Sequence, residues 1–179
     1  MNVGIVTSFI IGGLLLLSVF TLNNTVMQHS AQSTMELSAQ THVETLSEVM
    51  SYDIRKMGYR TTGVAVQTAT PLQLAFLSDL DNDGTVESVS WIADTTAHIP
   101  ATHNPDDFLI YRIVNSDTTD FATATTGFEF TYYDSTGAQT AGLTDIKSVQ
   151  VVLRCESPEP LSNEYVRASW QQRFSPRNL

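Results

Sequence analysis

Three kinds of residue are missing from the first part of this sequence: charged residues, proline and, beyond Gly13, glycine. No charged side chain precedes Glu36, no proline precedes Pro71, and no glycine lies between Gly13 and Gly58. Proline and glycine are the residues that most often end a helix, so their absence allows one helix to continue over this whole stretch. The lack of charge also removes the main obstacle to burial in lipid.

Cysteine and basic residues are scarce as well. Cys155 is the single cysteine, which excludes an intramolecular disulfide. Because Val151 and Leu153 share its side of a predicted strand, we expect its thiol to be buried and unreactive. The chain has 9 Lys and Arg against 19 Asp and Glu, a net charge of −10, and forms no basic patch. This balance argues against nucleic acid as a partner.

What the sequence does have is a long apolar start, from Val3 to Leu22. About 20 helical residues span the ~30 Å hydrocarbon core of a bilayer, and a single segment in lipid must be helical to pair its own backbone groups. Residues 1–22 are therefore predicted to be a transmembrane helix in the inner membrane, with the rest of the chain extracytoplasmic. A secretory signal cleaved near Ser30-Ala31 is the alternative interpretation.

Gly4, Ser8 and Gly12 fall four residues apart in this segment, on one side of the predicted helix. Small residues at this spacing let helices approach closely in lipid, where packing drives association. Our hypothesis is that this side is a helix–helix assembly face. The alternative is a chance spacing, since small residues are common in membrane helices.

Helical patterning continues through residues 23–58, which form an amphipathic second half of the helix. Gly58 is the expected end of the helix, since glycine often follows the last helical turn. Arg55 and Lys56 in that turn put positive charge at the negative end of the helix dipole. An unbroken helix of this length measures roughly 80 Å at 1.5 Å per residue. Apolar residues recur mostly at three- and four-residue spacings and predict one buried face: Met35, Leu37, Val43, Leu46, Val49, Met50, Ile54 and Met57.

Residues 59–179 show the two-residue alternation of strands and form the predicted globular domain. Short connections indicate an antiparallel sheet, and the second half of the helix is the only large amphipathic element that can cover it. The fold class is therefore predicted as α+β. Thr61 to Thr70 is expected to be mainly a connector, with a short strand near Val64 to Val66, and Asn115 to Thr126 a loop. The predicted strands are Leu72–Leu77, Val86–Ile92, Phe108–Val114, Phe128–Tyr133, Ile146–Cys155 and Tyr165–Phe174.

The turn after the first main strand matches the start of a calcium-binding loop. Asp79, Asp81 and Asp83 alternate and are followed by Gly84, and Glu87 falls at the ninth loop position. Alternate oxygen ligands and a glycine for the sharp turn are what Ca²⁺ requires. The bidentate glutamate of the twelfth position is missing, and a simple acidic hairpin turn is the alternative. Calcium is thus a possible ligand, and no cofactor is predicted to be required.

No arrangement typical of an active site is present. His98 and His103 lie near Asp106 and Asp107, but their loop is polar and irregular, so we expect solvated side chains rather than a metal cluster. No nucleophile elbow, zinc-binding helix motif or phosphate-binding loop occurs. The chain is therefore predicted not to be an enzyme.

Four stretches resemble one known family in the order in which they occur. The run SYDIRKMGYR at Ser51–Arg60 resembles a helix-end motif, and Phe76–Trp91 contains the D-x-D-x-D-G hairpin. The aromatic strand FEFTYYD occupies Phe128–Asp134, and Trp170 precedes a closing Arg-Asn-Leu at 177–179. In these features the chain is similar to type IV pilins and type II secretion pseudopilins, and most of all to PilW-like minor pilins.

The resemblance implies a structural subunit that assembles with other pilin or pseudopilin subunits through its N-terminal helix into a filament outside the membrane. The family's basic leader, glycine cleavage site and fifth-position glutamate are not seen in the start of this sequence, Met1 to Val6. This difference favours a minor or divergent component over a major subunit. A membrane-anchored extracytoplasmic binding domain that does not polymerise is the alternative function.

Overall fold

The computed structural model describes residues 3–161 and 163–179. One long helix, α1 (Val3–Lys56), precedes an antiparallel sheet, and a face of its second half packs on that sheet. This confirms the predicted α+β class. The seven strands found in the described residues are β1 (Val66–Thr70), β2 (Gln73–Ser78), β3 (Glu87–Asp94), β4 (Phe108–Val114), β5 (Asp117–Tyr133), β6 (Ser148–Glu156) and β7 (Arg167–Phe174).

The helix is unbroken at Gly12-Gly13 and ends where the sequence predicts. Gly58 adopts a φ of 79°, the left-handed conformation that ends many helices. Its N–H donates to the carbonyl oxygen of Leu77 at 3.0 Å, so the chain turns directly onto β2. A Cβ at this position would lie 2.7 Å from the carbonyl oxygen of Asn178, which leaves room for glycine alone.

The sheet is a meander in which every strand pairs with its neighbour in sequence. β5 is long enough to serve two partners: its first half pairs with β4 and its second half with β6. The sheet is curled, so that β1 and β5 come close. The N–H of Phe130 donates to the carbonyl oxygen of Pro71 at 2.8 Å. The hydroxyl of Tyr132 donates to the carbonyl oxygen of Thr70 at 2.9 Å.

The core lies between the second half of α1 and the inner face of the curled sheet. Leu46, Met50 and Ile54 of the helix are fully buried and belong to one cluster with the inward side chains of the strands. Cys155 is buried in the same cluster, as predicted, and burial raises the pKa of its thiol to about 11. The largest fully buried side chains contributed by the strands are Trp91, Phe76, Phe130, Leu74, Ile110, Leu153 and Val66.

Three local predictions differ from the structure. Leu37 was assigned to the buried face of α1, but it is 65% exposed. The predicted connector Thr61 to Thr70 contains β1, which starts at Val66. The predicted loop Asn115 to Thr126 is largely the first half of β5. Its polar composition suggested a loop, but threonine favours strands, and this half of β5 is mostly exposed.

Two compact units make up the chain, Met1–Met35 and Glu36–Leu179. The sequence predicts divisions after residues 22 and 58. The boundary between the two compact units follows Met35 and lies within the predicted amphipathic half, residues 23–58. By length and composition, α1 can span a membrane: its most apolar window has a mean hydropathy of 2.4 and no buried residues.

Candidate functional site

The acidic β2–β3 turn lies against the end of α1. The N–H of Asp79 donates to the carbonyl oxygen of Tyr59 at 3.0 Å. The carbonyl oxygen of Leu80 accepts hydrogen bonds from the hydroxyl of Tyr52, at 2.9 Å, and from the ammonium group of Lys56. The helix end therefore positions the turn through both backbone and side-chain contacts.

Asp79 is the buried centre of this turn, with no exposed surface. Its Oδ2 accepts hydrogen bonds from Nη1 of Arg60 at 2.8 Å and from the N–H of Gly84 at 3.1 Å. Burial raises the pKa of the Asp79 carboxyl, but Arg60 and the backbone N–H groups of Gly84 and Asn82 outweigh it, and the pKa falls below its usual value. Oδ1 receives no well-formed hydrogen bond from any residue that the structure describes.

Two further carboxylates join Asp79. Asp81 is exposed and Glu87 is largely buried. One carboxylate oxygen from each of Asp79, Asp81 and Glu87 lies within 4.8 Å of the oxygens from the other two. Glu87 Oε2 also accepts the N–H of Leu80 at 2.8 Å. The fourth predicted ligand, Asp83, does not belong to this group. Its Oδ1 accepts the N–H of Thr85 at 2.6 Å.

A buried ion pair between α1 and the sheet was not anticipated from the sequence. Asp53 is fully buried, and its carboxylate accepts Nε and Nη2 of Arg112 at 2.6 and 2.9 Å. The indole N–H of Trp91 adds a third hydrogen bond at 3.0 Å. Hydrogen bonding to Asp53 raises the pKa of Arg112 above its usual value. The available signal was the charged Arg112 inside the otherwise apolar strand β4.

The three proposed assembly residues do lie together on α1. Gly4, Ser8 and Gly12 line a shallow groove of about 730 Å³ with Phe9 and Leu16. The Ser8 hydroxyl donates to the carbonyl oxygen of Gly4 at 2.9 Å, so its donor is satisfied within the helix. A Cβ at either glycine would meet nothing within 4 Å. The groove is therefore an open surface in the single chain.

The histidine loop forms no metal site among the described residues. His98 Nδ1 lies 3.0 Å from the carbonyl oxygen of Asp107, and His103 contacts Glu159 through Nδ1 and Oε1 at 2.5 Å. Asp107 is buried and accepts the N–H of Ile99 at 3.2 Å. These contacts shape the loop before β4 instead of gathering the side chains around one point.

Comparison with known proteins finds no family model that matches this sequence, and no curated protein matches it either. The resemblance to pilins accordingly rests on the four motifs described above, and it stays a prediction.

Proposed function

We propose that this chain is a structural subunit of a filament of the type IV pilus or type II secretion kind, held in a membrane by the first part of α1 before assembly. The subunit has no catalytic task. Its partners are other subunits of the same kind, and its sheet unit faces the extracytoplasmic side.

One observation carries the proposal: the apolar surface of the first part of α1. Every large apolar side chain from Val3 to Met27 is between 53% and 78% exposed. An apolar surface of this extent is stable only against lipid or against other apolar surfaces. Both media fit a pilin-like subunit, which is first stored in a bilayer and then packed in a bundle of helices.

The polar groups of this segment fit the same use. The hydroxyls of Thr7, Ser8, Ser18 and Thr21 all donate to carbonyl oxygens one turn earlier in the helix. A hydroxyl satisfied in this way carries little cost in lipid. The glycine and serine groove then provides a place where a second helix can approach closely.

Replacement of Gly4, Ser8 and Gly12 by leucine tests the assembly face. We expect site-directed cross-linking between full-length chains in native membranes to fall, because the larger side chains fill the groove. Ser18→Leu with Thr21→Leu is the matched control, since it removes small residues from the same helix outside the groove. Equal cross-linking in the two variants would contradict the assigned face.

The alternative of an anchored binding domain has one observation in its favour. A polar cavity of about 440 Å³ lies beside the histidine loop, lined in part by His98, Asp106, Arg154 and Arg167. A non-polymerising binding domain predicts that wild-type chains in membranes give no cross-linked oligomers and are absent from filaments sheared from cells. Recovery of the chain in the sheared fraction supports the filament proposal instead.

A further inference from the structure

We propose that Asp79, Asp81 and Glu87 form a binding site for a divalent cation of the calcium class, without Asp83, and that Arg60 limits its affinity. This inference concerns the sheet unit and does not depend on filament assembly. It also revises the ligand set that the D-x-D-x-D-G pattern alone predicts.

The spacing of the three carboxylates suits one ion. Their oxygens lie within 4.8 Å of one another. Two oxygens that ligate the same Ca²⁺ at 2.3–2.6 Å can be at most about 5 Å apart. Three carboxylates offer up to six oxygens, and calcium takes six to eight, with water completing the shell. The set contains no nitrogen or sulfur ligand, which favours a hard cation over zinc or copper.

The buried oxygen of Asp79 is a separate observation that points to a ligand. Asp79 has no exposed surface, and its Oδ1 lacks a well-formed hydrogen bond from the described residues although Oδ2 has two. Buried carboxylate oxygens are almost always satisfied, because an unsatisfied one carries a large desolvation cost. A cation shared with Asp81 and Glu87 would supply the missing interaction.

Arg60 explains how the cluster is held together without the ion. Its guanidinium is 47% exposed and pairs with Asp79 Oδ2. The three carboxylates and this arginine sum to a charge of −2, which a divalent cation neutralises. Arg60 and the ion both draw on the negative charge of Asp79, so the arginine is expected to weaken cation binding rather than to support it.

Asp83 provides a matched control within the same loop. Asp81 and Asp83 are both exposed, each accepts one backbone N–H within the turn, and each loses one charge on change to asparagine. They differ in that only Asp81 belongs to the group of three. If the cation binds through defined ligands, the loss of Asp81 must lower the affinity more than the loss of Asp83. If it binds to a diffuse acidic surface, the two losses have equal effects.

The test is calorimetric titration of the full-length chain in detergent micelles with CaCl₂, and with MgCl₂ for comparison. We expect saturable binding of one Ca²⁺ with weaker Mg²⁺ binding, because three carboxylates crowd the octahedral shell that Mg²⁺ keeps partly hydrated. D81N should lower the Ca²⁺ affinity at least about tenfold. D83N should leave it within about threefold, and R60Q should raise it.

A second measurement keeps the test independent of folding. The thermal unfolding midpoint of the wild type and of D83N should rise with added Ca²⁺, while that of D81N should not, because only a ligand bound to the native state stabilises it. Absence of wild-type binding at millimolar Ca²⁺, or equal losses in D81N and D83N, overturns the site. A lower affinity in R60Q overturns the role given to Arg60.

Discussion

Leu15 and Leu46 lie on the same helix, yet Leu15 is 63% exposed and Leu46 is fully buried. Both are leucines with the same propensity for helix, so the helix itself does not decide their environment. Leu46 belongs to one core cluster with inward side chains of the curled sheet, whereas Leu15 belongs to the stretch of α1 whose large apolar side chains are all exposed. The comparison teaches that the chain's own sheet covers the apolar face of the second half of α1, whereas the apolar side chains of the first half stay exposed in the single chain.

The largest effect expected from this comparison is at the buried face. Leu46→Ala should lower the free energy of unfolding of the sheet unit by about 3–4 kcal/mol, since it leaves a cavity in the core. Leu37→Ala is the matched control, because Leu37 lies on the same helix but is 65% exposed; its effect should stay within about 0.5 kcal/mol. Denaturant unfolding of the full-length chain in micelles measures both. Equal effects would contradict the assigned faces.

A somewhat smaller effect is expected at the ion pair that fastens the buried half of α1 to the sheet. Arg112→Leu leaves the carboxyl group of Asp53 buried without its cationic partner, which should lower the free energy of unfolding by about 3 kcal/mol. The arginine side chain is 22% exposed, so water offsets part of the loss. Arg177→Leu, an exposed arginine, serves as control in the same unfolding measurement. A change under about 1 kcal/mol for Arg112→Leu would show that the pair contributes little.

The exposed half is tested by a charge placed in its apolar stretch. Leu15→Arg should oppose membrane insertion by about 2.5 kcal/mol, the cost of arginine near the centre of a membrane helix. Carbonate extraction of membranes should then release a larger fraction of the chain. Thr45→Arg, an exposed position in the second half, should leave extraction unchanged. Release of both variants, or of neither, would remove the distinction between the two halves.

The smallest expected effect is a loss of stability of the sheet unit at low pH. Hydrogen bonds from the hydroxyl and N–H of Thr96 lower the pKa of Asp94, and those from Thr136 likewise lower the pKa of Asp134 despite opposing desolvation. A carboxyl with a lowered folded pKa stabilises the fold above its unfolded pKa of about 3.9, and this contribution is lost as the pH falls through the folded pKa.

We therefore expect the unfolding midpoint of the sheet unit, followed by tryptophan fluorescence, to fall in acid below about pH 4. The double variant D94N/D134N should show a shallower dependence on pH. Residues 3–28 contain no ionisable side chain, so membrane retention should not change over the same range. An unchanged pH profile in the double variant would mean that other groups dominate the acid response.

Much of the architecture follows from patterns that a sequence displays. The length of α1, its end before Gly58 and the inward aromatic residues of β5 all depend on local chemistry and periodicity. The first half of β5 does not: its threonines and aspartates satisfy both loop and strand preferences, and pairing with β4 decides between them. Local sequence cannot supply that partner.

The candidate site shows the same limit. The spacing of Asp79 and Asp81 is visible in the sequence, but the exclusion of Asp83 depends on how the turn is wound. Asp53 was hidden for a different reason, because a charged residue beside the apolar stripe of a helix normally faces water. Its burial depends on Arg112, which lies 59 residues further along the chain.

The meander order of the sheet has a consequence for how the protein is made. Because each strand pairs with the strand that precedes it, a chain that emerges gradually during synthesis can pair its strands from β1 onward without waiting for distant segments. The ion pair between Asp53 and Arg112 cannot form until β4, which contains Arg112, has been synthesised. We expect the apolar face of the helix to pack on the early strands first, and the ion pair to fix the helix on the sheet only after that point in synthesis.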